Sequence, residues 1–377
     1  MTELYLTSKV SLTMTLLCTG SLLVADFQSN IENSNFTLKQ DGTMYNYNRL
    51  RLKNSYTSNG YYLTFIGDAL NYYGNNYIKS PTFNTSKNFQ SDTSFATQSA
   101  FASYQNGTAN AKIYRLYAGY EDAQNSLVFG VQNIPMGVGK FWTPTNIFNP
   151  QNSYALEPDE VFGVMALSYT RALSPMSRVQ FVISQRKNSS LKYALRYKAF
   201  INFADVALDM VKSDDTTMLG FEIQGNLGES GIELQSEGSY IKSTLLPTNK
   251  EEELYQLTAG ADYGFAEGLI LTTEALYSSK TFSYAQKVLN YNSEVATNLS
   301  DANLHIALGL AYDFNIFLSA SLTSITSLNQ SNAKFFSPTL TYTLNDYNAF
   351  TLGAIIYNSA VKEEQTHLYY LKYTLSF

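Results

Sequence analysis

A single cysteine, a single tryptophan and two histidines are spread over 377 residues. Cys18 falls in the first 25 residues, so disulfide and thiol chemistry is excluded from everything after them. Two histidines cannot build a convincing metal centre, and the CxxC, HExxH, GxSxG and Gly-rich phosphate patterns do not occur. The expectation is no enzyme, no metal and no cofactor. Charged residues make up only 15%, with a formal charge of −6 and no basic run, which excludes a nucleic-acid partner. From residue 26 onward no run of 18 apolar residues occurs, so a helical membrane span is excluded.

What is abundant is aromatic: 30 Tyr and 23 Phe. Few charges and many aromatics do not suit a disordered chain. They suit half-buried pleated surfaces and membrane-interface girdles. Residues 1–25 read separately. Lys9 precedes the apolar run Val10 to Val24, and Ala25 precedes Asp26. This predicts a secretory signal cleaved after Ala25, leaving 26–377 as one domain.

Beyond residue 33 the chain alternates with a period of two. Leu191, Tyr193, Leu195 and Tyr197 share one face against Lys192, Ala194, Arg196 and Lys198. Eighteen such segments are predicted, from 34–40, 43–57 and 61–74 to 335–345, 348–358 and 366–377; sixteen is the alternative count. Tight turns such as Asn59-Gly60 and Asn345-Asp346 alternate with long links at 75–111, 134–160 and 280–302. That predicts an all-β, antiparallel up-and-down transmembrane barrel, with long loops outside and tight turns in the periplasm. An even count places both ends of the chain on one side. A barrel also escapes hydropathy tests, because its polar lumen face cancels its lipid face within each strand.

Two stretches carry a resemblance. His367-Leu-Tyr-Tyr-Leu-Lys-Tyr-Thr-Leu-Ser-Phe377 resembles the terminal signal strand of Gram-negative outer-membrane β-barrels. It implies that Tyr373, Leu375 and Phe377 are read by the barrel-assembly machinery. Residues 129–160 (FGVQNIPMGVGKFWTPTNIFNPQNSYALEPDE) resemble a segment of porin-like barrels in which F-G-x-Q is followed by G-x-G-[RK]-x-W-x-P-T-[ND]-x-F-N-P. Val131 departs from the Arg common at its position. Polysaccharide-export barrels share a looser version. Prolines end strand pairing there, and an exposed loop would not hold Phe141, Trp142, Ile147 and Phe148 in water. Loop 134–160, with Lys140, is therefore expected to fold into the lumen as a constriction.

With apolar positions facing lipid, the inward charges separate by wall. Arg49, Arg51, Lys53, Arg115, Arg178, Arg186, Lys192, Arg196 and Lys198 form a basic wall. Asp205, Asp209, Glu222, Glu233, Glu237, Asp262, Glu274 and Asp313 form an acidic one. In an eighteen-strand ring Arg49 and Arg51 face Glu233 and Glu237, which predicts a field across the pore. The functional expectation is an outer-membrane porin, a passive diffusion channel for small hydrophilic solutes. The alternatives are a substrate-specific uptake or polysaccharide-export barrel, and a closed structural or adhesin barrel. Membrane lipids and lipopolysaccharide are the expected surroundings. A homo-oligomer is left open, since no oligomer patch is identifiable from sequence.

Overall fold

The computed structural model describes residues 25–81, 83–84, 91–329 and 332–377. The expected signal segment, Cys18 included, lies outside the described residues apart from Ala25. Nineteen strands form one antiparallel sheet. They are β1 (Ala25–Gln40), β2 (Thr43–Ser58), β3 (Tyr61–Tyr73), β4 (Gln98–Tyr104), β5 (Gly107–Glu121), β6 (Asn125–Gln132) and β7 (Val164–Ser174). Next come β8 (Ser177–Gln185), β9 (Leu191–Ile201), β10 (Ala204–Lys212), β11 (Thr216–Asn226), β12 (Ile232–Leu245) and β13 (Lys250–Gly264). The rest are β14 (Leu269–Ser278), β15 (Leu304–Asp313), β16 (Leu318–Leu328), β17 (Lys334–Asn345), β18 (Asn348–Asn358) and β19 (Thr366–Ser376).

β1 pairs with both β2 and β19, which closes the sheet on itself. Closure satisfies the backbone through neighbouring strands, the condition for a sheet to sit in hydrocarbon. β4 and β6 share one position in the ring. β3 runs along one edge of β5. Along the other edge, β6 takes residues 116–121 and β4 takes residues 107–112. β4 thus occupies the wall position that β6 gives up where its chain turns inward. The ring itself has eighteen strands.

The two faces sort as alternation predicts. On β9, Tyr193 is 48% exposed and Lys192 is 1% exposed; the apolar face points out and the mixed face points in. Asp41-Gly42 and Asn59-Gly60 both have positive φ at their two residues, as two-residue type I′ hairpins need.

Two elements differ from expectation, each for a physical reason. β1 begins at Ala25 rather than 34, because its polar first half is held by pairing with the far half of β2, Phe27 opposite Tyr56. β4 was expected to be loop, since alanine and serine give it no apolar alternation; it is held by its hairpin with β5. On β5 a bulge at Tyr114 lets Ile113 pair with Gly67 and Arg115 with Ile66. Both Tyr114 and Arg115 are consequently buried on the inner face, where strict alternation from Lys112 would turn Arg115 outward.

Residues Tyr373, Leu375 and Phe377 lie on the outer face. Tyr373 packs against Phe350 with ring centroids 4.9 Å apart. The Phe377 carbonyl accepts from Asn30 Nδ2 (2.8 Å) and from the Ile31 N–H (3.1 Å).

Topology has a direct check. A cysteine at exposed Asn249 is expected to react with an impermeant maleimide on intact cells. One at Asn59 is expected to react only after the outer membrane is opened; the opposite pattern would invert the barrel.

Candidate pore constriction

β6 ends at Gln132, and Pro135 cannot donate to a continued ladder. Residues 133–163 leave the wall there, and the chain rejoins it at Val164. The neck of this loop is tied by Asn149, whose Oδ1 accepts from the Ile134 N–H (2.6 Å) and whose Nδ2 donates to the Phe162 carbonyl. Ile134, Met136, Ile147 and Phe148 pack on inward Val211, Met218 and Ile241. Phe141 instead joins a second inner cluster with Phe36, Ile325 and Phe335.

The first half of the loop is held by carboxylates of the acidic wall. Glu237 accepts from the N–H groups of Val138 (2.5 Å), Gly139 (3.0 Å) and Thr145 (3.2 Å). Glu274 accepts from those of Lys140 (2.6 Å), Trp142 (2.9 Å) and Phe141 (3.3 Å). Glu222 accepts from the Gly137 N–H (2.7 Å). Successive backbone N–H groups thus converge on buried anions, as in anion-binding nests. Hydrogen bonds to a charged group each contribute about 1.5–3 kcal/mol. Gly137 makes this approach feasible: its φ is +88°, and a Cβ there would lie 2.7 Å from Glu237 Oε2. The Lys140 ammonium reaches Asp262 (3.2 Å) and Glu233 (3.4 Å).

The second half is held by the basic wall. Arg49 pairs with Glu157 (2.7 Å) and Arg51 with Glu160 (2.8 Å) and Asp68 (2.7 Å). Arg115 donates to the Val161 carbonyl (3.0 Å). β2 and β12 stand half a ring apart, so the loop crosses the lumen from one charged wall to the other. Glu160 shows the strength of the attachment. Burial opposes its ionisation, yet the hydrogen bond from Arg51 and the charges of Arg49 and Arg51 outweigh that and bring its pKa down to about 2.

The remaining expected wall residues are placed as follows. Lys53 pairs with Glu32 (2.9 Å) and Lys198 with Asp205 (3.3 Å). Arg196 bridges Glu222 (2.5 Å), Asp209 (3.6 Å) and the Pro135 carbonyl (2.8 Å). Arg186 binds Glu294 (2.7 Å), Asp215 (2.9 Å) and Asp92 (3.1 Å). Lys192 donates to the Ile147 carbonyl (3.0 Å) and lies 3.4 Å from Glu294. Arg178 and Asp313 are exposed near the tight-turn end, with no ion pair among the described residues. Val131 is buried in the wall beside Gly163.

No family model matches the sequence, and no curated protein matches it. Solved structures do. OccAB1 of Acinetobacter baumannii has a TM-score of 0.60 at 10% identity, covering 94% of this chain and 96% of that one. OpdK of Pseudomonas aeruginosa, solved with vanillate, has a TM-score of 0.57 at 9% identity, covering 93% and 98%. OccK2 (OpdF) of Pseudomonas aeruginosa, in complex with glucuronate, has a TM-score of 0.58 at 10% identity, covering 93% and 98%. The fold is that of the porin-like outer-membrane β-barrels.

Within this porin-like barrel, sequence reasoning missed the loop's own anions, Glu157 and Glu160. It also missed a second inward segment, residues 279–303, which brings Phe282, Val295 and Leu299 into the same cluster as Ile134 and Ile147. A signal for it existed. Val182, Val211, Ile241 and Leu254 occupy inward positions toward the loop ends of their strands, where a bare polar lumen has no use for them.

Glu160 gives the attachment a pH dependence. A lowered carboxyl pKa means its contribution is complete above the ordinary value of 4.5 and fades as pH falls towards about 2. Single-channel conductance is expected to rise or grow noisy through that window as the loop loosens, and Glu160→Gln should show this behaviour at neutral pH. Flat conductance in both cases would mean the ion pair does not hold the loop.

Proposed function

We propose that the chain is an outer-membrane porin that passes small hydrophilic solutes by diffusion through a constriction made by loop 133–163. The observation that carries this reading is the loop's fixation to both charged walls. A closed barrel with a polar inner face conducts water-borne solutes, and a clamped cross-piece sets their size limit. The same cross-piece weighs against export of a polysaccharide, which needs a clear bore. The conduit involves no chemical step, and its partners are lipid outside and solute within.

The class of solute follows from the inward cations that no carboxylate neutralises. Most inward charges are already neutralised by an opposite charge. Lys112 and Arg115 have no ion pair among the described residues; the Lys112 ammonium lies 4.5 Å from the Phe162 ring centroid, and Arg115 donates to the Tyr114 and Val161 carbonyls. Two cations without a carboxylate partner, beside the constriction, favour small organic anions. The structural neighbours solved with vanillate and with glucuronate each hold a carboxylate, which agrees with that preference.

Liposome swelling separates the possibilities. Glucuronate is expected to enter faster than glucose at low salt, with the advantage shrinking near 1 M salt, where the Debye length is about 3 Å. Lys112→Ala should reduce the advantage, and deleting 140–150 should raise uptake of both sugars. Equal rates in the parent protein would end the anion assignment. Unchanged rates after the deletion, in a barrel still folded, would end the constriction.

A further inference from the structure

Four neighbouring strands, β17, β18, β19 and β1, bring their loop-side ends together on the lipid side of the outer rim. Lys334 is the first residue of β17, Asn358 the last of β18, His367 the second of β19 and Lys39 the last but one of β1. Their neighbours fix their direction. Phe335, Leu368 and Leu38 are buried on the inner face, so Lys334, His367 and Lys39 turn outward. Asn358 stands opposite Lys334 and shares its side. Among the described residues the other outward lysines of the strands are engaged: Lys242 pairs with Glu251 (2.9 Å) and Lys212 donates to Thr217 Oγ1 (2.8 Å). The exposed ammonium groups of Lys39 and Lys334 have neither an ion pair nor a hydrogen bond there. His367 Nε2 donates to Asn358 Oδ1 (3.1 Å). Asp41, in the adjoining turn, accepts from the His367 backbone N–H (2.9 Å).

Just inside the rim the surface becomes aromatic. Tyr369 stands opposite both Lys39 and Ala354, and Phe336 stands opposite Ile356. Tyr369 and Phe336 are 52% and 42% exposed, while Ala354, on the strand between them, is 9% exposed. Two rings thus flank a shallow slot floored by an alanine. Beyond it Leu371, Leu352 and Leu340 continue the apolar band. Cations, then rings, then aliphatic side chains is the order in which a lipid presents its head, its head-to-chain boundary and its chains.

We propose that this rim is a binding site for the diphosphorylated head of lipopolysaccharide, with phosphates on Lys39 and Lys334 and an acyl chain in the slot between Tyr369 and Phe336. Place selects the class of ligand, because exposed lysines at the outer rim of the wall meet the head-group layer of the outer leaflet. Lysine to phosphate is a charge-assisted contact. Spacing selects the number of phosphates. β1 and β17 are three strand spacings apart, about 14 Å, and Lys334 lies four residues, about 13 Å, beyond the position in register with Lys39. One phosphate would draw both side chains to full stretch, whereas two phosphates on one head would not. The proposal rests on the barrel's place in the outer membrane and not on what passes through it.

The test titrates the detergent-purified barrel with diphosphoryl lipid A, monophosphoryl lipid A and phosphatidylglycerol, and counts bound lipid by native mass spectrometry. The parent is expected to hold diphosphoryl lipid A at least tenfold more tightly than either of the others. Lys39→Ala with Lys334→Ala is expected to lose that preference. Lys39→Arg with Lys334→Arg should keep it, and Lys242→Ala should leave it untouched. These side chains lie on the outer surface, so heat-modifiable mobility and solute uptake are expected to match the parent in every variant. Equal affinity for phosphatidylglycerol or for monophosphoryl lipid A overturns the two-phosphate head. Unchanged affinity in the double Ala variant, or an equal loss in Lys242→Ala, overturns the site. Either result would leave the diffusion channel standing, since solute uptake is measured separately.

Discussion

Two buried carboxylates, Glu237 and Glu274, carry the inner architecture. Each is almost inaccessible to water, and an unpaired charge in such a place is costly. Their compensation is the backbone of residues 138–145, whose N–H groups converge on them. The dependence is mutual. The loop has no ladder of its own for these N–H groups, and among the described residues the only wall cation on these glutamates is Arg196, beside Glu222. Removing either partner leaves the other buried and unsatisfied, so loop and wall are stable only together.

The same logic accounts for the basic side. Arg49 and Arg51 are buried too and are neutralised by Glu157 and Glu160 of the loop, with Glu32 and Asp68 of the neighbouring strands. Charge separation around the ring therefore serves first to hold a chain segment between two walls. A replacement of Arg49, Arg51 and Arg115 by Ala would release the loop as well as change the charge, so its effect on ion selectivity could not be read alone. The groups that remain for solutes are the cations that no carboxylate neutralises among the described residues, Lys112 and Arg115.

The wall was largely legible in the sequence because outward residues are bulky and apolar along most strands, and positive-φ turns such as Asp41-Gly42 and Asn59-Gly60 have residues that suit few other conformations. Legibility failed where side chains do not alternate. β4 has only Phe101 and Tyr104 as large side chains, three residues apart and so out of period-two alternation, and the start of β1 is held mainly by its pairing with β2. The inward loop was recognisable from Trp142 and its neighbouring prolines and glycines. Its hydrogen bonds were not, since backbone N–H groups leave no mark on residue identity. The wall charges could be sorted by side, yet only a fold shows that Glu157 and Glu160 meet the arginines.

The central claim, that wall carboxylates hold the loop through its backbone, can be measured at the amides themselves. Hydrogen exchange of Val138, Gly139, Lys140 and Trp142 in the folded barrel reports directly on those bonds. The account predicts protection comparable to paired residues of β12, and its selective loss at Val138 and Gly139 in Glu237→Ala. Exchange as fast as that of the exposed turn at Asn249 would contradict it.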